Sequence, residues 1–116
     1  MNFGYLFTTL EGRIGRSDWW KGFVGLLVLQ FISWLLFGDD GLLAFVASVL
    51  LLLAGLALHL KRLHDRGKSW PWLLLLLIPV VGLIWAIIDL GLLEGEGGPN
   101  RYGPPPLENT RRASLR

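Results

Sequence analysis

The sequence predicts an all-α integral membrane protein, a three-helix bundle with a short N-terminal interfacial segment. Two observations carry this prediction. Three apolar runs, at about residues 19–37, 42–60 and 70–93, each supply the roughly 20 helical residues needed to cross a hydrocarbon core about 30 Å thick. The runs hold few charges, and a basic cluster punctuates them. Composition agrees, with 53% hydrophobic and 17% charged residues and a mean hydropathy of +0.51. A soluble domain this small would expose too much of that apolar surface. Transmembrane strands alternate in polarity, whereas residues 50–53 and 73–77 are unbroken leucine, so helices are the spanning element. The chain has no cysteine, which removes disulfides, thiolate metal sites and cysteine nucleophiles.

Before the first run, Phe3, Tyr5, Leu6, Phe7 and Leu10 form an apolar stretch too short to span, suited to the membrane interface or to docking on the bundle. Ser17 or Asp18 can cap the first helix, and Trp19 and Trp20 fit an aromatic belt at its entry. The first run is longer than a signal-peptide core and reads as a retained anchor. Gly38-Asp39-Asp40-Gly41 is a tight turn. The second helix is expected to continue to Arg66, because Lys61, Arg62 and Arg66 suit the negative end of a helix dipole and Gly67 suits a left-handed stop. Ser69 then caps the third run, with Pro71 in its first turn. Residues 94–106 are rich in Gly and Pro and read as an irregular exit. The transmembrane domain thus covers residues 1–106, and the basic tail 107–116 is expected to be disordered.

Lys and Arg also set the expected orientation. Arg13, Arg16 and Lys21 flank the first run, and Lys61, Arg62, Arg66 and Lys68 fill the second connection, while the first connection carries only Asp39 and Asp40. The N-terminus and the second connection are therefore assigned to the cytoplasm. Three crossings would place the C-terminus in the periplasm. The competing geometry turns the third run back at residues 79–82. Its arms would be only about 9–12 residues long, and a turn in lipid would leave backbone groups unpaired, so the sequence favours a full third crossing kinked at Pro79.

Four motifs occur in order: Gly12-Arg13-Ile14-Gly15-Arg16-Ser17-Asp18-Trp19-Trp20, Lys61-Arg62-Leu63-His64-Asp65-Arg66-Gly67-Lys68-Ser69, Ile78-Pro79-Val80-Val81-Gly82 and Asn100-Arg101-Tyr102-Gly103-Pro104. Together, over about residues 3–106, they resemble the YhaH-like family of small bacterial inner-membrane proteins, known as domain of unknown function 805. The resemblance implies a multi-pass protein of the bacterial inner membrane and carries over no activity. Ser69-Trp70-Pro71-Trp72, where the family usually has Ser-Gly-Trp-Trp, and Pro104-Pro105-Pro106, where an acidic residue is usual, are local departures.

The candidate site is the charge cluster Arg13, Arg16, Asp18, Arg62, Asp65, Arg66 and Lys68, converging on one membrane surface. Planar guanidinium groups can hold an anionic lipid head group or phosphate, but the same charges can simply set topology and staple the N-terminal segment to the helices. Arg13 or Arg16 is expected to approach Asp65 or the last carbonyls of the second helix. His59 and His64 are five residues apart, about 140° around a helix, which does not suit a metal pair. No metal, cofactor or catalytic residue is implied, and the chain does not read as an enzyme. Gln30 lies near mid-membrane, where an amide needs a partner across helices or between copies. Asp89, expected near the outer interface, reads as a wetted carboxylate. Small residues form stripes at Ala44, Ser48 and Gly55, and at Gly82, Ala86 and Asp89, which suit helix contacts. The expected partners are the lipid bilayer, with anionic head groups, and a second copy or a larger membrane protein; nucleic acid is not among them. A noncatalytic packing or interaction module leads, ahead of an oligomeric transport component and a head-group enzyme built on His64 and Asp65.

Overall fold

The computed structural model describes Phe7 and residues 10–106, all helix, turn and irregular chain apart from one isolated bridge between Asn100 and Gly103. Helix α1 is Arg16–Phe37 and helix α2 is Leu42–Asp65. At 1.5 Å per residue they are about 33 and 36 Å long, enough to cross a membrane. The turn between them contains Gly38 at φ 74° and Gly41 at φ 92°, conformations that favour glycine. The helices run antiparallel in contact. A Cβ on Gly22 would press on the Leu58 side chain, and one on Gly55 would lie 3.7 Å from Leu26.

Apolar side chains face outward along most of both helices. Leu27, Phe31, Leu35 and Leu36 on α1, and Leu42, Phe45, Leu50 and Leu52 on α2, are all more than half exposed. Charged side chains are inside: Arg13, Lys61, Arg62, Asp65 and Asp89 are buried. Water would penalise this distribution and a hydrocarbon solvent would reward it, because lipid solvates leucine and cannot solvate an ion. The small core of Ile14, Trp19, Leu58, Leu63, Ala86 and Leu90 therefore sits at the charged end, where Phe7 also packs against it. Leu10 is exposed. Phe3, Tyr5 and Leu6 of the expected interfacial segment, and the tail 107–116, lie outside the described residues.

The third run departs from the expected single crossing. A 3₁₀ arm, Trp70–Leu77, leads to Ile78, after which α3, Pro79–Trp85, continues as a π-helical arm, Ala86–Leu92. The two arms fold on each other as a hairpin. Its return end is fastened beside its start, since Lys68 and Arg66 both reach Asp89. Residues 94–106 accordingly lie at the same end as Arg13 and residues 61–69, not at the opposite end. The expected objection is unpaired backbone at the turn, and the local sequence meets part of it. Ile78 N–H donates to Leu75 O at 3.1 Å, Gly82 N–H donates to Ile78 O at 2.7 Å, and Pro79 has no N–H to satisfy.

Gly82 is where the arms touch. Gly82, Ala86 and Asp89 are buried together and form the inward face of the return arm. On α2 only Ala44 of the other small-residue stripe is buried; Gly55 is half-buried and Ser48 is exposed. The helix caps also differ from expectation. Helix α1 starts at Arg16 after Gly15, so Ser17 and Asp18 fall in its first turn, and neither Gly15 nor Ser69 makes a side-chain cap. Gly67, at φ 74°, ends α2 in the left-handed conformation.

Candidate functional site: the buried arginine and aspartate clamp

Two carboxylates organise the charged end. Asp65, in the last turn of α2, is fully buried and accepts from two arginines. Arg13 reaches its Oδ1 through Nε at 3.1 Å and Nη2 at 2.9 Å, and Arg62 reaches its Oδ2 through Nη1 at 2.6 Å. Arg13 continues outward, donating from Nη1 to Gly98 O at 2.8 Å and Gly103 O at 3.1 Å, and from Nη2 to Glu96 O at 2.5 Å. A guanidinium has five N–H donors, and these contacts occupy all of them. One side chain thereby joins the N-terminal segment, the end of α2 and the exit segment.

Asp89 holds the second centre. It accepts from Arg66 Nε at 2.7 Å on Oδ1, and from Lys68 Nζ at 2.5 Å and Trp85 Nε1 at 3.0 Å on Oδ2. Two cations and an indole N–H thus share its two oxygens, and its side chain is 5% exposed. Asp89 is therefore an ionised, paired group, which corrects the expectation of a wetted carboxylate at the far interface. That expectation followed from a straight third helix. The turn at Ile78 brings Asp89 back to the cationic end instead.

The carbonyl groups beside Asp89 account for most remaining donors. Leu90 O accepts from Arg62 Nε at 2.6 Å, Gly91 O from Trp20 Nε1 at 2.7 Å, and Leu92 O from Arg16 Nη1 at 2.8 Å. Leu93 O accepts from Arg62 Nη2 and Glu94 O from Arg66 Nη1, both at 2.6 Å. Every carbonyl from Leu90 to Glu94 is thus capped from another element. These are the acceptors that a helix leaves unpaired at its C-terminal end, and cations also suit the negative pole there. Of Arg13 and Arg16, either of which was expected at Asp65 or the end of α2, Arg13 reaches Asp65 while Arg16 serves the hairpin, and Arg62 serves both the hairpin and Asp65.

Asp18 lies outside this network, and Lys21 is exposed at the surface. Lys61 is fully buried. His59 accepts at Nδ1 from Trp19 Nε1 at 3.1 Å, whereas His64 Nδ1 lies 3.0 Å from Gly12 O and so carries the proton there. His64 also stacks on Tyr102, with ring centroids 3.9 Å apart. A cavity of about 230 Å³ opens here, lined by Glu11, Gly12, His64, Arg101 and Tyr102. Asp65 and the clamp arginines do not line it. Gln30 is exposed on α1, remote from Asp89 and from this cavity.

Sequence reasoning missed Trp20, Trp85 and Asn100. Trp85 had a usable signal, since it precedes Asp89 by four residues and so shares its helical face. Asn100 donates to His64 O at 3.0 Å and to Glu96 Oε1 at 2.8 Å, and its own Oδ1 accepts from Tyr102 N–H at 2.8 Å. It closes the exit segment over the end of α2, where Glu96 N–H also donates to Asp65 O at 2.8 Å.

The model of a family described as a protein of unknown function, DUF805, matches residues 7–104. The chain is 32% identical over 104 residues to the inner membrane protein YhaH of Escherichia coli K12, covering 83% of this chain and 85% of YhaH. It is 33% identical over 103 residues to the inner membrane protein YhaI, covering 83% of this chain and 84% of YhaI, and 33% identical over 123 residues to the uncharacterized protein YiiR, covering 82% and 84%. Both are also from Escherichia coli K12. No solved structure matches. With the matched region taking in both long helices, the hairpin and the clamp, the chain belongs to the DUF805 family and is an inner-membrane protein.

Proposed function

We propose that the chain is a noncatalytic packing and interaction module of the bacterial inner membrane, in which the clamp holds a re-entrant hairpin against two crossing helices. The N-terminal flank, residues 61–69 and the exit segment 94–106 face the cytoplasm, and residues 38–41 face the periplasm. The charge bias favours this orientation, since the Lys and Arg of the chain's connections gather at the clamp end. One observation carries the reading. All five donors of Arg13, and hydrogen bonds from Arg62 and Arg66, go to Asp65, Asp89 and main-chain carbonyls of the same chain. Arg13, with its five donors used, has no capacity left for a phosphate and Arg62 is buried, which weakens the head-group enzyme and lipid-recognition readings. The transport reading requires Asp89 and Gln30 to share an aqueous path; Asp89 is engaged by Arg66, Lys68 and Trp85, and Gln30 lies on the outer face of α1.

Cysteine labelling in intact cells tests the arrangement, helped by the absence of native cysteine. Gly98 is exposed and a Cβ there meets nothing within 4 Å, so Gly98→Cys is tolerated. An impermeant maleimide added from the periplasm should label Asp39→Cys and spare Gly98→Cys until the inner membrane is permeabilised. Periplasmic labelling of Gly98→Cys would restore a full third crossing and overturn the proposal. Vesicles containing the purified protein should carry no ion current; an Asp89-dependent current would favour transport instead.

A further inference from the structure

Gln30 poses a problem that the single chain does not solve. It lies 11 residues after Trp19 and nine before Asp39, so it sits about 16 Å and 13 Å along the helix axis from the two interfacial markers. That is close to the middle of a bilayer about 30 Å thick, too deep for a short amide to reach water. Its side chain is exposed and makes no hydrogen bond among the described residues. An unpaired carboxamide facing hydrocarbon is costly, because it leaves two N–H donors and a carbonyl acceptor unsatisfied where nothing else can bind them.

We infer that Gln30 marks a homodimer interface on α1, in which the carboxamides of two copies hydrogen-bond to each other at mid-membrane. Three arguments select a second copy. A carboxamide is self-complementary, so two of them form a reciprocal N–H to O=C pair with no other residue type required. All copies inserted in one orientation place Gln30 at one depth, and a two-fold axis along the membrane normal sets it opposite itself. The surrounding face is available as well: Leu27 and Trp34, three residues before and four after Gln30, share its side of the helix and are 55% and 50% exposed. This inference rests on the proposed function for the crossing of α1 and names the partner of the interaction module.

The test uses the full chain in bilayers of phosphatidylethanolamine and phosphatidylglycerol. Single cysteines at Leu27 or Trp34 should form a disulfide-linked dimer on oxidation, whereas a cysteine at Leu35, about 140° around the helix and 61% exposed, should not. Energy transfer between donor-labelled and acceptor-labelled copies should show association that dilutes out with added lipid. Gln30→Leu should weaken it roughly 3- to 16-fold, the range that measured interhelical side-chain hydrogen bonds span. Gln30→Asn, which keeps the carboxamide, should retain part of it. Because Gln30 has no bond among the described residues, Gln30→Leu should leave the monomer folded, checked by unchanged labelling of Asp39→Cys. Monomers at every lipid dilution, cross-linking through Leu35 alone, or a dimer indifferent to Gln30→Leu would each overturn the inference. So would Gln30-dependent cross-linking only to a different membrane protein in native membranes. A monomer whose Gly98→Cys stays protected from the periplasm would defeat the dimer and leave the hairpin standing.

Discussion

Asp65→Ala is expected to be among the most damaging substitutions in the protein. It leaves Arg13 and Arg62 buried, with side-chain exposures of 1% and 0%, and removes the carboxylate that neutralises both. Breaking one buried ion pair by deleting a partner costs about 3–5 kcal/mol, and here two buried cations lose the same carboxylate at once. The exit segment and the residues around Arg13 should detach together, because Arg13 bridges them to α2. In detergent micelles this should appear as a large loss of thermal stability and as new proteolytic cleavage near residues 10–15 and 95–103. Unchanged cleavage at both segments would refute the clamp. Asp65→Asn should be milder in shape and nearly as severe in energy, since an amide keeps an acceptor and loses the charge.

Gly82→Ala should separate the arms of the hairpin while leaving α1 and α2 in place. An added Cβ would land on the Leu75 carbonyl oxygen, with Leu76 Cα 2.8 Å away. Both are main-chain atoms and cannot rotate aside. Overpacking a core of side chains costs about 1–3 kcal/mol, and a backbone contact belongs at or above the top of that range. The contrast is Gly22→Ala, whose Cβ meets the flexible tip of Leu58 and should cost less. Cysteines at Leu74 and Leu83, on opposite arms, allow the outcome to be read: cross-linking efficiency between them should fall with Gly82→Ala and not with Gly22→Ala. Equal efficiency in all three backgrounds would mean that the arms do not depend on this close approach.

These two positions show different degrees of legibility. Asp65 and its arginines stood out because charges are rare in such a chain and Arg62 lies three residues from Asp65. Which arginine serves which acceptor was not legible, because the acceptors are main-chain carbonyls and carry no residue code. Gly82 was visible as part of a small-residue stripe. Its partner, the backbone at Leu75, was invisible for the same reason.

The sequence by itself determined the all-α class, the two long helices, the glycine turns and the concentration of cations at one end. These depend on length, hydropathy and backbone preference, which are properties of contiguous residues. Helix α2 ends at Asp65 with Gly67 just beyond, near where the dipole and left-handed signals put the stop. Only the tertiary structure decided the fate of residues 70–92. Hydropathy measures how apolar a stretch is and cannot distinguish one crossing from two half-length arms, since both present the same leucines to lipid. The choice turned on where the backbone donors and acceptors find partners. Leu75 and Ile78 supply them at the turn, and Arg16, Trp20, Arg62 and Arg66 supply them at the return end. Most of those latter donors lie some 25 to 75 residues away along the chain, beyond the reach of any local pattern.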